Sequence, residues 1–245
     1  VSDAIITIRG VSKVYRKGEE EVHALRGVTL DIQKGQYVSI MGPSGSGKST
    51  LFNIIGGLDT PTSGDVLVEG HKLDQLNSSQ LSWFRCHKIG FIFQSFNLVP
   101  TMTALENVAI ARTFAGASPS EARRDAAAVL ESVGLGHRLD HLPSQVSGGQ
   151  QQRIAIARAL VNKPLIILAD EPTGNLDLKT GEEIINLLSA MKKDLGITIV
   201  TATHDMKMLS RSDFVIRIDS GAIESITAKK DLKIVVGSID GKTVL

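Results

Sequence analysis

A short, mostly apolar segment, Tyr37 to Met41, runs directly into Gly42-Pro43-Ser44-Gly45-Ser46-Gly47-Lys48-Ser49-Thr50, and this junction limits what the chain can become. A short run that is apolar on both faces reads as a buried strand of a parallel sheet. Ser49 to Gly56 reads as the helix that follows. A glycine loop between strand and helix lets successive backbone N–H groups converge, and the helix N-terminus adds positive partial charge behind them. Gly42 to Ser49 matches G-x-x-x-x-G-K-[ST] in full, so the loop is expected to cradle phosphates. Lys48 would reach the β- and γ-phosphates, and Ser49 would offer its hydroxyl to Mg²⁺.

About a hundred residues further on, Val146-Ser147-Gly148-Gly149-Gln150 opens a second helix, expected over Gln150 to Val161. Serine is a preferred N-cap, and the glycines after it expose backbone donors. Alone, this is equally a plain capped helix start. Its meaning changes with the apolar strand Leu165 to Ala169, which ends in Asp170-Glu171. Strands of open α/β sheets present ligand-binding groups at their carboxyl ends. Asp170 is expected to act on Mg²⁺, directly or through water, and Glu171 to orient and deprotonate an attacking water. With a phosphate loop already present, a second anion-binding helix start makes sense if it serves another molecule's nucleotide.

The rest of the chain alternates strands with helices: strands at Ala4 to Arg9, Ala24 to Ile32, Asp65 to Glu69, Ile89 to Phe93, Ile197 to Thr203, Phe214 to Ile218 and Ala222 to Ile226, and an amphipathic helix over Thr180 to Lys193. Charged Lys17 to Glu21 reads as a loop or hairpin tip. From Thr103 to Leu135 the period turns helical, with Ala122, Ala126, Val129 and Val133 on one stripe. This pattern predicts an α/β fold with a mostly parallel sheet, an N-terminal antiparallel β part and an inserted helical part. The expected division is a core over 1–95 and 160–226, a helical segment over 96–159 and a tail over 227–245. Asp240-Gly241 in that tail is a hairpin signal.

Bulk properties exclude several classes. A net charge of +1 gives no electrostatic case for nucleic acid or an anionic membrane surface. Arg123, Arg124 and Arg138 read as a solvated helix face. A single cysteine, Cys86, cannot form an internal disulfide, and there is no zinc-type Cys/His spacing. No stretch approaches the roughly 18 to 20 apolar residues of a membrane span. The first residues lack a basic-then-apolar signal pattern, though the chain starts at Val1 and a leader would escape this reading. His23, His71, His87, His137 and His141 read as surface residues, and Trp83 and Phe84 as packing.

Taken together, the motifs resemble those of ATP-binding cassette (ABC) ATPases over nearly the whole chain. Gly42 to Ser49 is similar to that family's Walker A, Leu165 to Glu171 to its Walker B, and Val146 to Gln150 to its signature, with Val146 where the family usually has Leu. The resemblance implies four further roles. Tyr15 would stack on adenine, Gln94 would sense Mg²⁺ and the attacking water, Asp177 would cross a dimer interface, and His204 would hold the γ-phosphate. It also implies ATP and Mg²⁺ as ligands and a head-to-tail homodimer in which Ser147 to Gln150 of one copy meets the nucleotide of the other.

Leu58 to Gly64, Phe91 to Leu98 and Leu168 to Asp177 resemble the lipoprotein-release and macrolide-export subgroup. That likeness implies a separate membrane permease as partner and a place on the cytoplasmic face of the inner or plasma membrane. The helical segment around Met102 to Ala115, with Gln94, would pass motion to that permease. Two alternatives remain open at this point: a cassette of a signalling or cell-division complex that transports nothing, and a non-transport ABC ATPase. Long coiled-coil members are disfavoured, because no sustained heptads separate the loop from the signature.

Overall fold

The computed structural model describes residues 4–18 and 20–232, and beyond them the strand residues 234–235, 238–239 and 242–243. Strands β1 (Ala4–Lys17) and β2 (Glu20–Gln33) form a long hairpin, followed by β3 (Tyr37–Met41) and α1 (Lys48–Ile55). Next come β4 (Ser63–Val68), β5 (His71–Lys72), α2 (Ser78–Lys88) and β6 (Ile89–Ile92). Helices α3 (Ala104–Phe114), α4 (Pro119–Ser132) and α5 (Gly148–Leu160) lead to β7 (Ile166–Asp170) and α6 (Leu178–Leu195). The last elements are β8 (Thr198–Ala202), α7 (Met206–Arg211), β9 (Phe214–Asp219), β10 (Ala222–Ala228) and the two-residue strands β11 (Ile234–Val235), β12 (Ser238–Ile239) and β13 (Lys242–Thr243). The chain divides into two compact units, one holding residues up to Leu81 and from Thr198 onward, the other Ser82–Ile197.

In the first unit, β2, β1, β4 and β5 make an antiparallel sheet in that order. β2 alternates from Val28 onward, burying Val28, Leu30 and Ile32 while Thr29 and Asp31 face solvent. β3 is buried along its whole length and pairs in parallel with β8 on one side and β9 on the other. Its one polar residue, Ser39, is satisfied inside the core by Thr201 Oγ1 at 2.7 Å and Ser212 Oγ at 2.6 Å. β10 runs antiparallel to β9. The Asp240-Gly241 hairpin signal lies outside the described residues, while Ile239 and Lys242 on either side pair antiparallel.

In the second unit, β6 and β7 pair in parallel, Ile89 with Ile166 and Ile92 with Ala169. Each helix start is fixed by local chemistry. Thr103 with Glu106, Ser118 with Glu121 and Ser147 with Gln150 form capping boxes, and Pro119 occupies a first-turn position. On α4 the buried stripe is Ala122, Ala126 and Leu130, with Val133 beyond the helix end; Val129 lies at its margin. The expected helical stretch is broken between Phe114 and Pro119, where Gly116 adopts a positive φ. Asn107, fully buried on α3, spends its amide on the preceding segment: Nδ2 donates to Val99 O, Met102 O and Thr103 O, and Oδ1 accepts from Val99 N at 2.7 Å.

One packing expectation is corrected. Phe84 is buried, but Trp83 is 56% exposed, and its ring stacks on His87 with centroids 4.4 Å apart. α2 is mostly polar, so a single apolar residue is enough to seat it.

Candidate functional site

β3 delivers the chain to the glycine loop, and the loop is held by backbone on both sides. A Cβ at Gly42 would overlap Ile218 O and stand 2.7 Å from Ser46 Oγ. Gly47 has φ of +103°, and a Cβ there would overlap Ala24 O. Gly221 N donates to Ser46 O at 3.0 Å. The backbone of β2 at Ala24 and of β9 at Ile218 therefore cages the loop, and only glycine fits where it touches them. Lys48 Nζ reaches back to Gly42 O at 2.7 Å and Pro43 O at 2.9 Å, which places the ammonium over the loop.

The start of α1 differs from those of α3 to α7. Its N-cap is Gly47, with no side-chain cap and no acid in the first turn, whereas Thr103, Ser118, Ser147, Asp177 and Asp205 cap the others. The first-turn donors of α1 thus have no side-chain cap and no first-turn carboxylate competing for them. The cradle that a Cβ would fill and this uncapped start fit a polyphosphate.

Tyr15 stands near this loop. It is 40% exposed, and its hydroxyl donates to Asp59 Oδ2 at 2.8 Å. Lys13 Nζ bonds Asp59 Oδ1 at 2.6 Å and sits 4.9 Å from the Tyr15 ring centroid, a cation–π distance. The ring is therefore fixed at its edge and covered on one face. Burial pushes the Asp59 carboxyl up, but bonds from Lys13, Tyr15 and Thr60 N–H outweigh it and hold the group below its ordinary range. Burial, then the Asp59 bond, raises the Tyr15 hydroxyl. Neither Lys13 nor Asp59 was read as a site residue; 44 and 46 positions separate the partners, so sequence spacing gives no sign of them. His204, exposed, follows β8 in the same unit, where Thr203 N donates to Ile40 O at the end of β3.

The second unit assembles the other expected residues. Asp170 ends β7, and Gln94 follows β6, so both stand at the carboxyl ends of paired parallel strands. Glu171 begins the next turn at φ +43°, a left-handed conformation rare for a non-glycine residue and concentrated at functional sites. Gly174 N closes that turn onto Glu171 O at 3.0 Å. Gln94 packs on the turn: Asn175 Nδ2 donates to its carbonyl at 2.9 Å, and a Cβ on Gly174 would stand 2.8 Å from its Nε2.

After Gln94, Phe96 and Asn97 also take left-handed φ, and the Arg158 guanidinium from α5 bonds both carbonyls. Arg158 is a support that sequence reading missed. At the start of α5, Ser147 and Gln150 satisfy each other, which leaves the N–H groups of Gly148 and Gly149 without an intrahelical acceptor. Gly148 borders Leu176 and Phe96, at 3.6 and 3.9 Å from a notional Cβ. Asp177 caps α6, accepting from Lys179 N and Thr180 N at 3.1 Å each. The structure thus brings Tyr15, Thr50 and the loop together in one unit, and Gln94, Asp170, Glu171, Gly148 and Asp177 together in the other.

A family model described as ABC transporter matches residues 25–174. The chain belongs to the ABC transporter ATP-binding family. It is 45% identical to the lipoprotein-releasing system ATP-binding protein LolD of Shewanella frigidimarina, over 92% of this chain and 94% of that one. It is 50% identical to the macrolide export ATP-binding/permease protein MacB of Brucella abortus over 93% of its own length, but spans only about a third of that longer protein, 35%. Among solved structures, the ATP-binding cassette MJ0796 of Methanocaldococcus jannaschii, a dimer in a post-hydrolysis state bound to ADP and Pi, superposes with a TM-score of 0.85 at 46% identity, over 91% of this chain and 98% of that one. The cassette is accordingly an ATP-binding ATPase with the expected α/β architecture. Among the described residues, no helix is long and apolar enough to cross a membrane.

Proposed function

We propose that the cassette is the ATP-hydrolysing subunit of a membrane transporter of the lipoprotein-release or export type, working as a head-to-tail homodimer around two ATP at the cytoplasmic face of the inner or plasma membrane. The observation that carries the reading is the presence of two glycine-led helix starts in one chain: α1, which follows the Gly42 to Gly47 loop and has no side-chain cap, and α5, led by Gly148 and Gly149. One would hold the subunit's own phosphates, the other those of its partner. The dimeric form of MJ0796, the permease in MacB's name and the lipoprotein-releasing system in LolD's support the same assembly.

In this reading adenine stacks on the Tyr15 face opposite Lys13. The phosphates lie on the backbone of Gly42 to Gly47 and on Lys48, Ser49 and Thr50. Closure by the partner's Ser147, Gly148, Gly149 and Gln150 excludes water and strengthens each charge contact. Glu171, set apart by its turn, takes a proton from the remaining water as its oxygen attacks the γ-phosphorus and the bond to ADP breaks. His204 and Gln94 position that water and the γ-phosphate, and Asp177 meets the partner. Ser49, Gln94 and Asp170 would hold Mg²⁺: they are oxygen donors, and one carboxylate suits a cation that shares its shell with phosphate and water. The described residues hold no cluster of three His, Cys, Asp or Glu that would suit an all-protein metal cage. Mg²⁺ would supply charge neutralisation across the β- and γ-oxygens. Cleavage of the γ-phosphate from ADP breaks the bridge between the two subunits and lets the dimer open, and Gln94 with α3 would carry the motion to a permease.

The test is Glu171→Gln. It should bind ATP, turn over at least about 100-fold more slowly, and elute as a dimer in ATP but as a monomer without it. A slow variant that stays monomeric in saturating ATP would sink the shared-nucleotide reading. Lys48→Ala should weaken ATP binding itself.

A further inference from the structure

Thr180 touches both elements assigned above to the partner's nucleotide and to the dimer interface. It is the third residue of α6, and its N–H donates to the Asp177 carboxylate at 3.1 Å. Its methyl group meets the signature: a Cβ on Gly149 would overlap Thr180 Cγ2, while Cβ and Oγ1 of Thr180 would lie at an ordinary 3.6 and 3.8 Å. The methyl and hydroxyl of a β-branched residue in a helix turn together, with few χ1 choices. The residue whose methyl meets Gly149 is therefore the one whose N–H holds the Asp177 carboxylate, with little freedom between the two contacts.

At the cap, the Asp177 carboxyl is held below its ordinary range beside the Thr180 side chain and the backbone N–H groups of Lys179 and Thr180, whose bonds to it are 3.1 Å each. One turn further along both helices, Arg153 Nη2 bonds Glu183 Oε2 at 3.0 Å, so the seam between α5 and α6 is fixed at a second point. A notional Cβ on Gly181 would pack 3.6 Å from Thr173 Cβ, which ties α6 to the turn after Glu171.

We propose that Thr180 is a positioning residue that locks the signature start at Gly149 to the Asp177 cap, so that the two motifs move as one piece. Engagement of a phosphate at Gly149 is then delivered to Asp177 and its turn without any intervening flexible segment. The proposal rests on the roles assigned to Gly149 and Asp177 above.

The experiment uses the full chain and steady-state ATP hydrolysis at saturating Mg-ATP. Gly149→Ala should lower kcat at least about tenfold. Gly149→Ala combined with Thr180→Ser should recover most of that loss, because removing the methyl leaves the new Cβ with only the ordinary contacts. Thr180→Ser alone, which leaves a gap at Gly149 and keeps the N–H bond to Asp177, should lower kcat about fivefold with KM for ATP and the thermal midpoint little changed, a split that a merely structural role does not give. A double variant no more active than Gly149→Ala, or wild-type kcat in Thr180→Ser, overturns the lock and leaves the role of Gly149 standing. Wild-type kcat in Gly149→Ala overturns both the lock and the signature reading beneath it.

Discussion

Replacing Asn107 tests how the segment after Gln94 is held. The side chain is fully buried, and its amide makes four bonds, all to backbone between Val99 and Thr103. Four neutral bonds at about 1 kcal/mol net each set an upper scale of ~4 kcal/mol for Asn107→Ala. Val99 is 38% exposed, so water recovers part of the loss at that residue. The expected local cost is therefore about 2–3 kcal/mol. Val99 N–H loses its acceptor, so native-state amide exchange there should accelerate roughly 30- to 150-fold, since each 1.4 kcal/mol is tenfold. Asn107→Asp keeps the acceptor but turns two donors into an anion facing three carbonyls. Burial and those carbonyls would raise the folded pKa of the new carboxyl above its unfolded value. Its contribution is then intact below the unfolded carboxyl range near pH 4 and is lost as pH rises through the raised folded value. The Asp variant should therefore lag wild type more at pH 7.5 than at pH 5. Unchanged exchange at Val99 in the Ala variant, or a stability gap for the Asp variant that is flat with pH, would show that Asn107 does not hold this segment.

Asp59→Ala should release the Tyr15 edge and the Lys13 ammonium together, weakening ATP binding about three- to tenfold while leaving tripolyphosphate affinity unchanged, as read by competition titration; equal loss for both ligands would mean the ring does not serve adenine. Because the Asp59 carboxyl is held below its ordinary range, its support is present above the unfolded range near pH 4 and disappears as pH falls through the lower folded value, so the adenine preference should fade only in strong acid. At Gly90 a Cβ would stand 2.5 Å from Ala159 O and 3.1 Å from Ala159 C, both backbone, so Gly90→Ala must push β6 from α5 at about 2–4 kcal/mol; an unaltered thermal midpoint would contradict that contact.

The elements read well from sequence are those with a local cause. β3 and β7 are short, mostly apolar runs, with Ser39 the polar residue that the core must satisfy in β3, and α5 and α6 carry their caps within a few residues of the first turn. β1 and β2 run well beyond the alternating stretches because register shifts after Ile8, Val11 and Lys13 break the period while backbone pairing continues to Lys17. α2 escaped because its sequence, Ser-Ser-Gln-Leu-Ser-Trp-Phe-Arg-Cys-His-Lys, buries Phe84 alone and so lacks a stripe. Trp83 misled for the reverse reason: a large aromatic suggests a core, yet its ring is accommodated against His87 on the helix surface.

Among site residues the division follows sequence distance. Phosphate-binding groups must succeed one another along a single loop, so Gly42 to Thr50 is visible as a string, and Asp170-Glu171 is visible because a strand must end where its acids begin. The residues that aim them come from elsewhere. Lys13 and Asp59 fix Tyr15 from 46 positions apart, Arg158 reaches 61 and 62 positions back to hold the two left-handed residues after Gln94, and Thr180 meets Gly149 across two helices. None of these supports needs a particular neighbour in sequence; each needs a particular neighbour in space. It follows that substitutions at Lys13, Asp59, Arg158 or Thr180 should alter how well the motifs perform while leaving every motif intact, and that two cassettes with identical Walker and signature strings can differ in turnover through these residues alone.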